Sequence, residues 1–511
     1  MKLELLFVFV AGTALYLPAA RYGFVQDDRA IIVSNPAAHS VGAALAAFDD
    51  PYWPREIAAG LYRPLTILSF SLDWTLSGGR SGWLHLMNAL WHGLATVLLV
   101  AVLARWLPAI AAAAAGLVFA WHPVHVEAVA SLVGRAELLV AVGILGAVLA
   151  ARRGWWAGAV LLAALAMLSK EHGVIAGVVV LLDRWLQPPG EKPYPAGFWI
   201  GLVIVTVGFV AAWMAIGWVG ENDAAAVFYG RGMFARLAIA LPAAFRALWL
   251  LVWPVSLSAD YGPQVLPVRS GFSLAAVLGL GVVIGVPALA VWCRRRAPAI
   301  AFAAGLAALS YLPTANLFFP SGVVLAERNL YLAVVLPAAL LGTAIAKFVQ
   351  PRTTHDARRT MTAALCASVA VACALLSFVR LPAWKDNRSQ LLTLLAEHPE
   401  SYRAHGSAAA VLAGIGDTAG ARREYRIADS LYAADPYLDV AHAIFLLSIG
   451  DTASAVPLIE RARGTGVGTR MTRRAEFLLE LTRGNRARAA QLADSAQIRY
   501  PREASWYLQY R

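Results

Sequence analysis

The 511-residue chain has little charge and almost no cysteine. Charged residues make up 14% of it and hydrophobic residues 59%, whereas an average soluble domain is about a quarter charged. Its three cysteines, Cys293, Cys366 and Cys373, all lie in or beside apolar runs. The polar loops therefore have no disulfide to form, and no cysteine-based zinc site is available.

Common nucleotide-binding motifs are also missing. The chain contains neither G-x-G-x-x-G nor G-x-x-x-x-G-K-[ST], which disfavours a nucleotide-driven enzyme or pump. The formal net charge of +12 does not indicate a nucleic-acid partner, because the basic residues are spread through loops. Basic loops are expected on the inner side of a membrane protein.

Long apolar runs are abundant. A membrane-spanning helix needs about 20 apolar residues, and we predict eleven spans in a polytopic protein. They cover 3–20, 84–105, 108–122, 134–151, 155–170, 172–186, 197–218, 273–293, 298–317, 330–348 and 361–380. We expect 3–20 to be a retained first helix, the alternative being a signal peptide. The short segments 155–170 and 172–186 suit a tilted or partly re-entrant pair.

A further apolar segment, 233–257, contains Arg236 and Arg246. An arginine at bilayer depth costs about 2.5–3.5 kcal/mol on insertion scales. We therefore interpret this segment as interfacial or re-entrant, and a twelfth span is the alternative.

Basic short loops indicate the orientation of the chain. Arg152, Arg184 and the arginines of 294–296 fall on one side of the eleven-span arrangement, and the positive-inside rule makes that side cytoplasmic. The long aromatic loop 21–83 and the C-terminal region then face outward. The composition looks bacterial, so we expect the inner membrane, with these parts on the periplasmic side.

After residue 380 the composition changes to that of a soluble helical domain, 381–511, which contains internal repeats. Gly416, Gly450 and Gly484 begin three similar hexapeptides, GDTAGA, GDTASA and GNRARA, spaced 34 residues apart. This is the period of tetratricopeptide repeats, which pair two helices around a turn. We predict about three such repeats, whose groove would bind a peptide or a neighbouring protein.

An adjacent carboxylate pair, Asp27 and Asp28, follows the first apolar segment directly. Such a pair is common on ordinary protein surfaces. Here it lies close to the membrane in a loop rich in aromatic residues, which favours a functional role. A carboxylate placed there can deprotonate an alcohol.

Other polar groups come from separate loops that are predicted to face the same side. We interpret them as candidates for binding the substrate or its phosphate: Arg63, His122, His125, Glu127, Arg135, Lys170, Glu327 and Arg328. Ordinary explanations exist for some of them. Lys170 has the position of a lysine that snorkels from a helix end, and the H-x-x-H-x-E spacing of the histidines is a weak metal signal.

This one-sided arrangement suits a lipid-linked phosphate donor. The polyprenyl tail of such a donor stays in the bilayer, where each buried CH₂ contributes about 0.8 kcal/mol. Its head group projects to the outer surface, where fixed cations can bind it. A lipid monophosphate leaving group requires no metal, although the sequence does not exclude a divalent ion.

Several segments together resemble one family, the transmembrane and tetratricopeptide-repeat O-mannosyltransferases. They are, in order, FVQDDRAIIVSNP, YRPLTILSFSLDW, HLMNALWH, HPVHVEAVASLVGRAELL, MLSKEHGV, SADYG and NLFFPSGVVLAERNLYL. The resemblance implies an all-α fold, a GT-C-type transmembrane bundle over 1–380 followed by the repeats. It also implies transfer of a hexose from a polyprenyl-phosphate donor, with inversion, to Ser or Thr of exported proteins.

The acidic pair in the first outer loop of that family matches Asp27 and Asp28, so the resemblance implies that one of them is the catalytic base. Three alternatives stay open at this point. The first alternative is a non-catalytic membrane-anchored repeat scaffold, the second is a glycosyltransferase acting on a glycan or lipid, and the third is a transporter. A transporter predicts polar groups near the middle of the bilayer and related halves, and neither is evident.

Overall fold

The structure is a computed structural model that describes residues 2–54, 61–188, 190–217, 225–267, 271, 273–349, 356–466, 469–499 and 504–509. Part of the predicted outer loop 21–83 therefore lies outside the described residues. Within these ranges every regular element is a helix, so the predicted all-α class is confirmed.

In the described part of the chain, fifteen α-helices precede the predicted boundary at residue 380. They are Lys2–Ala14 (α1), Val41–Ala46 (α2), Pro64–Ser77 (α3), Ser81–Leu103 (α4), Ala109–Trp121 (α5), His125–Ala130 (α6), Arg135–Arg152 (α7), Trp156–Ser169 (α8), Ala176–Trp185 (α9), Ala196–Ala212 (α10), Met233–Val252 (α11), Leu274–Cys293 (α12), Pro298–Tyr311 (α13), Val335–Val349 (α14) and Asp356–Arg380 (α15). Short 3₁₀ or π turns at Leu17–Arg21, Arg29–Val33, Pro36–Ala38, Leu132–Gly134, Glu171–Ile175, Trp213–Gly217, Ala226–Phe228, Leu312–Thr314, Glu327–Leu330, Leu332–Val334 and Leu381–Trp384 link or extend them.

Seven helical segments of the described chain have the length and hydropathy of membrane spans, which makes this a multi-pass membrane protein. They are Lys2–Arg21, Ser81–Leu103, Leu132–Arg152, Ala196–Ile216, Met233–Val252, Leu274–Cys293 and Ala364–Trp384. Six of them match predicted spans. The other five predicted segments also form helices, but these have fewer than 18 residues.

Several of these short helices end or begin next to candidate site residues. Helix α5 ends at Trp121, directly before His122, and α8 ends at Ser169, directly before Lys170. The turn Glu327–Leu330 similarly precedes α14. At 1.5 Å per residue, a 13-residue helix such as α5 is only about 20 Å long, less than the roughly 30 Å hydrocarbon core. The short helices thus leave room for polar loop segments on one side.

Helix α11 falls in the ambiguous segment 233–257. It is continuous through Pro242 and meets the length and hydropathy of a span. Yet both of its ends contact the same loop. The guanidinium of Arg236 donates to the carbonyls of Leu317 and Phe318, and Ser258, just beyond the other end, donates to Glu327. The interfacial or re-entrant interpretation therefore stays a prediction.

The C-terminal region forms the helix pairs that the 34-residue period predicts. A first helix, Asn387–Glu397 (α16), precedes the pairs α17/α18, α19/α20 and α21/α22 and a short last helix, α23. Their bounds are Tyr402–Gly414, Thr418–Leu431, Pro436–Ser448, Thr452–Gly464, Thr469–Thr482, Arg486–Arg499 and Ala504–Leu508. The domain boundary at 380/381 stays a prediction, because α15 continues directly into the turn Leu381–Trp384.

The repeat glycines occupy the turns within these pairs. Gly416, Gly450 and Gly484 have φ angles of 84°, 79° and 75°, a left-handed conformation that costs glycine little and other residues more. In the first two turns the next residue, Asp417 or Asp451, caps the following helix through its carboxylate. The repeated Gly-Asp therefore explains the sharp reversal between paired helices.

Candidate functional site

The two aspartates of the predicted pair have different environments. Asp28 is fully buried, and its two carboxylate oxygens accept the backbone N–H groups of Val25 at 2.9 Å and Val133 at 3.0 Å. The bond from Val133 connects the first loop to the turn before α7. Burial raises the pKa of Asp28 to about 7. Both oxygens of Asp28 are thus engaged by the protein.

Asp27 is only half-buried. Among the described residues, no N–H or O–H donor forms a hydrogen bond with its carboxylate. Desolvation by burial raises the pKa of Asp27 and is the largest effect. The guanidinium groups of Arg328 and Arg63 lower this pKa, and the carboxylate of Glu127 raises it further. Asp27 therefore faces a cluster of charged groups and keeps its oxygens available to an incoming molecule.

The cluster contains three cations, and each forms an ion pair. Arg63 and Arg328 act on Asp27, and Lys170 lies close enough to act on both of these arginines. Arg63 donates from Nε and Nη2 to both oxygens of Glu171, at 2.8–3.1 Å. Lys170 pairs with Glu137 and also donates to the amide oxygen of Asn329 at 3.2 Å. Arg328 pairs with Glu127 through its side chain, and its backbone N–H donates to the same carboxylate at 2.8 Å. Asp27 is thus the carboxylate of this cluster that lacks such a partner within the described residues.

Of the three cations, Arg328 is the most accessible. Its side chain is 32% exposed, compared with 13% for Arg63 and 10% for Lys170. A guanidinium has five N–H donors, and the ion pair with Glu127 uses only part of them. Arg328 can therefore bind a phosphate oxygen without first giving up its protein partner.

Arg135 lies elsewhere, although the sequence suggested that it binds substrate. It is fully buried and donates to Asn88 Oδ1 at 2.7 Å, to the carbonyl of Leu84 at 2.9 Å and to that of Ser69 at 3.3 Å. It also forms an ion pair with Asp73. The structure does not bring Arg135 into the charged cluster; it joins α7 to α3 and α4.

The histidines are likewise enclosed. His122 Nε2 lies 3.1 Å from the carbonyl of Leu251, and His125 Nε2 lies 3.0 Å from that of Tyr331. Burial lowers the pKa of His125. The two histidines connect the start of α6 to α11 and to the turn that precedes α14. Among the described residues no group of three or more His, Cys, Asp or Glu is placed to hold a metal ion.

Glu327 is buried beside the cluster rather than open to it. Its Oε1 accepts the backbone N–H of Ser258 at 2.6 Å and the hydroxyl of Tyr261 at 2.7 Å. Burial raises its pKa, and the nearby guanidinium of Arg380 opposes that rise. Glu327 thus anchors the segment from which the neighbouring Arg328 projects.

The sequence singled out Glu127, the partner of Arg328. It did not single out Glu171 and Glu137, the partners of Arg63 and Lys170, or the contacts of the first loop with residues 385–387. Glu171 follows Lys170 directly, which was a signal that it belonged to the site. Nothing local could reveal that Glu171 pairs with Arg63, because 108 positions separate them.

Comparison with known proteins identifies relatives of this chain. Over 379 residues the chain is 28% identical to human protein O-mannosyl-transferase TMTC3, covering 64% of this chain and 41% of that protein. It is 28% identical over 334 residues to protein O-mannosyl-transferase F38B6.6 of Caenorhabditis elegans, covering 62% and 47%. It is 26% identical over 481 residues to mouse protein O-mannosyl-transferase TMTC4, covering 79% and 63%.

The chain thus spans between two fifths and two thirds of the length of these relatives. No protein-family model and no solved structure matches it. The resemblance that the ordered motifs predict is confirmed: this chain is a homologue of the transmembrane and tetratricopeptide-repeat protein O-mannosyl-transferases.

Proposed function

We propose that this chain is a GT-C-type membrane glycosyltransferase that transfers a hexose, mannose by analogy with its relatives, to a Ser or Thr hydroxyl of an exported protein. The donor is a polyprenyl-phosphate-linked sugar, and the reaction takes place at the periplasmic face of the inner membrane. The repeats lie on the same side, where they engage the acceptor. The carrying observation is that the Asp27 carboxylate accepts no hydrogen bond from the described residues, while the charges of Arg328 and Arg63 act on it.

The proposed chemistry is a single displacement. Asp27 takes the proton from the acceptor hydroxyl, whose oxygen attacks the anomeric carbon of the sugar. The bond to the phosphate oxygen breaks, polyprenyl phosphate leaves, and the anomeric centre is inverted. Arg328, together with Arg63 and Lys170, stabilises the negative charge that develops on the phosphate, as preorganised cations do for developing charge.

A transfer assay with purified full-length chain tests this proposal. We expect polyprenyl-phosphate mannose to add one hexose to Ser or Thr of an acceptor polypeptide, detected by mass spectrometry. A nucleotide sugar in place of the lipid donor should give no product. Absence of transfer from every polyprenyl-phosphate hexose, or transfer to glycan or lipid alone, would contradict the proposal.

The pH profile should report the environment of Asp27. A general base acts only when deprotonated, and burial raises the pKa of Asp27 above its usual value. We therefore expect kcat/KM to fall with decreasing pH at a higher pH than for a solvent-exposed aspartate. An acid limb at the ordinary aspartate pKa, near 4, would show that this carboxylate is not the base.

A further inference from the structure

We propose that the start of the C-terminal region is part of the active-site scaffold, in which Asn387 positions Asp27 and Arg403 positions Arg328. This inference rests on the proposed function. It assigns the first helices after the last span a role in catalysis, in addition to any binding of acceptor by the repeats.

The first contact is made at the turn that presents Asp27. Gln26 has a φ of 45°, in the left-handed region that residues other than glycine rarely adopt. Its backbone N–H donates to Asn387 Oδ1 at 2.7 Å. Three residues earlier, the N–H of Gly23 donates to the carbonyl of Lys385 at 2.9 Å. Residues 385–387 therefore hold the backbone on the N-terminal side of the base.

Asn387 is itself held in place. It is the first residue of α16, and the carboxylate of the preceding Asp386 caps that helix by accepting the N–H of Ser389 at 2.7 Å. Near the other end of α16, Glu397 accepts two bonds from Arg380 at 2.6 and 2.7 Å. The acceptor oxygen for Gln26 is thus fixed by a capped helix that is anchored to the end of the last span.

The second contact runs through the loop that follows α11. On one side, Ser258 and Tyr261 donate to Glu327, the neighbour of Arg328. On the other side, the carboxylate of Asp260 accepts the hydroxyl of Ser401 at 3.0 Å and Arg403 Nη1 at 3.3 Å.

A further bond joins the same loop to the first repeat, from Gln264 Nε2 to the carbonyl of Leu431 at 2.5 Å. The loop thus lies between the first repeat and the segment that carries Arg328.

These two contacts have one consequence. Asp27 and Arg328 belong to segments that are 301 positions apart in the chain, and residues 385–403 contact both segments or the loop beside them. The separation between base and phosphate-binding cation is therefore set partly from outside the membrane-spanning helices. A misplacement of about 1 Å can slow a reaction that depends on such alignment by about 10²-fold.

The first experiment compares N387A with R388A, a matched change at the neighbouring exposed arginine. Loss of the acceptor oxygen should lower kcat about three- to tenfold, the equivalent of one hydrogen bond, and leave the donor KM unchanged. N387D keeps an acceptor oxygen and adds a negative charge near Asp27, which raises the pKa of that carboxyl. It should recover kcat at high pH and move the acid limb upward. Equal kcat values for N387A and R388A would overturn this half of the proposal.

The second experiment compares R403Q and D260N with R422Q. Arg422 forms a similar ion pair with Asp451, at 2.7 Å, inside the repeats. We expect R403Q and D260N each to raise the donor KM severalfold, and R422Q to leave it unchanged. D260N keeps the bond from Arg403 to the Tyr402 hydroxyl, so agreement between the two variants excludes a folding defect of the repeat. If R403Q and D260N have the same donor KM as R422Q, the contact between Arg403 and Asp260 does not position Arg328.

D27N in the same assay separates the two proposals. If D27N abolishes transfer while N387A, R403Q and D260N behave like their controls, only the positioning role fails. If D27N keeps full transfer activity, the proposed function itself is wrong.

Discussion

D27N should lower kcat by about 10²–10⁴-fold, the usual contribution of a well-placed general base, in a protein that still folds. The folded structure does not depend on this carboxylate, because no donor among the described residues binds it. Donor affinity should change little, since Arg63, Lys170 and Arg328 stay in their ion pairs. Single-turnover transfer from polyprenyl-phosphate mannose, together with thermal unfolding in detergent, would measure both quantities.

The matched control is D28N at the adjacent aspartate. We expect it to lower the stability of the protein more than its catalytic rate. An asparagine side chain has one oxygen, so only one of the two N–H groups, of Val25 or Val133, keeps its acceptor. A buried donor left without a partner costs about 1–3 kcal/mol, which should appear as a lower melting temperature. Transfer activity per folded molecule should be less affected than in D27N. A stable, inactive D28N beside an active D27N would reverse the assignment of the base.

R135M should destabilise the membrane domain severely. Methionine occupies a similar volume but leaves Asp73, which is 4% exposed, without its cation. Breaking a buried ion pair by removing one partner costs about 3–5 kcal/mol, and the oxygen of Asn88 and the carbonyl of Leu84 lose their donor as well. We expect a large drop in the yield of monodisperse protein and in its melting temperature, measured in detergent.

Two controls separate this effect from a loss of phosphate binding. R105M removes a more exposed ion pair with Glu191, whose side chains are 25% and 45% exposed, and exposed pairs contribute only about 0–1 kcal/mol. Adding D73N to R135M removes the unpaired charge and should restore part of the stability. If R135M instead folds normally and raises only the donor KM, then Arg135 binds phosphate after all.

The sequence identified some residues of the candidate site and misplaced others. Asp27, Arg328 and Lys170 were identifiable because charged residues stand out at the ends of apolar segments. Arg135 and the histidines stand out equally in the sequence, yet they are buried and bonded to backbone carbonyls. Local sequence reports that a charge sits near a span end, but it does not report which way the side chain points or what surrounds it.

Hydropathy and the 34-residue period were sufficient for the helical class, most of the spans and the paired repeats. Those features depend on neighbours in the chain, on the number of consecutive apolar residues and on the glycine that each turn requires. The difference between Asp27 and Asp28 is of another kind. It arises because Val133, more than a hundred positions away, donates to Asp28, whereas Arg328 lies near Asp27. Burial and long-range hydrogen bonds decide which of the two aspartates accepts hydrogen bonds from other described residues and which does not, and these interactions exist only in the folded chain.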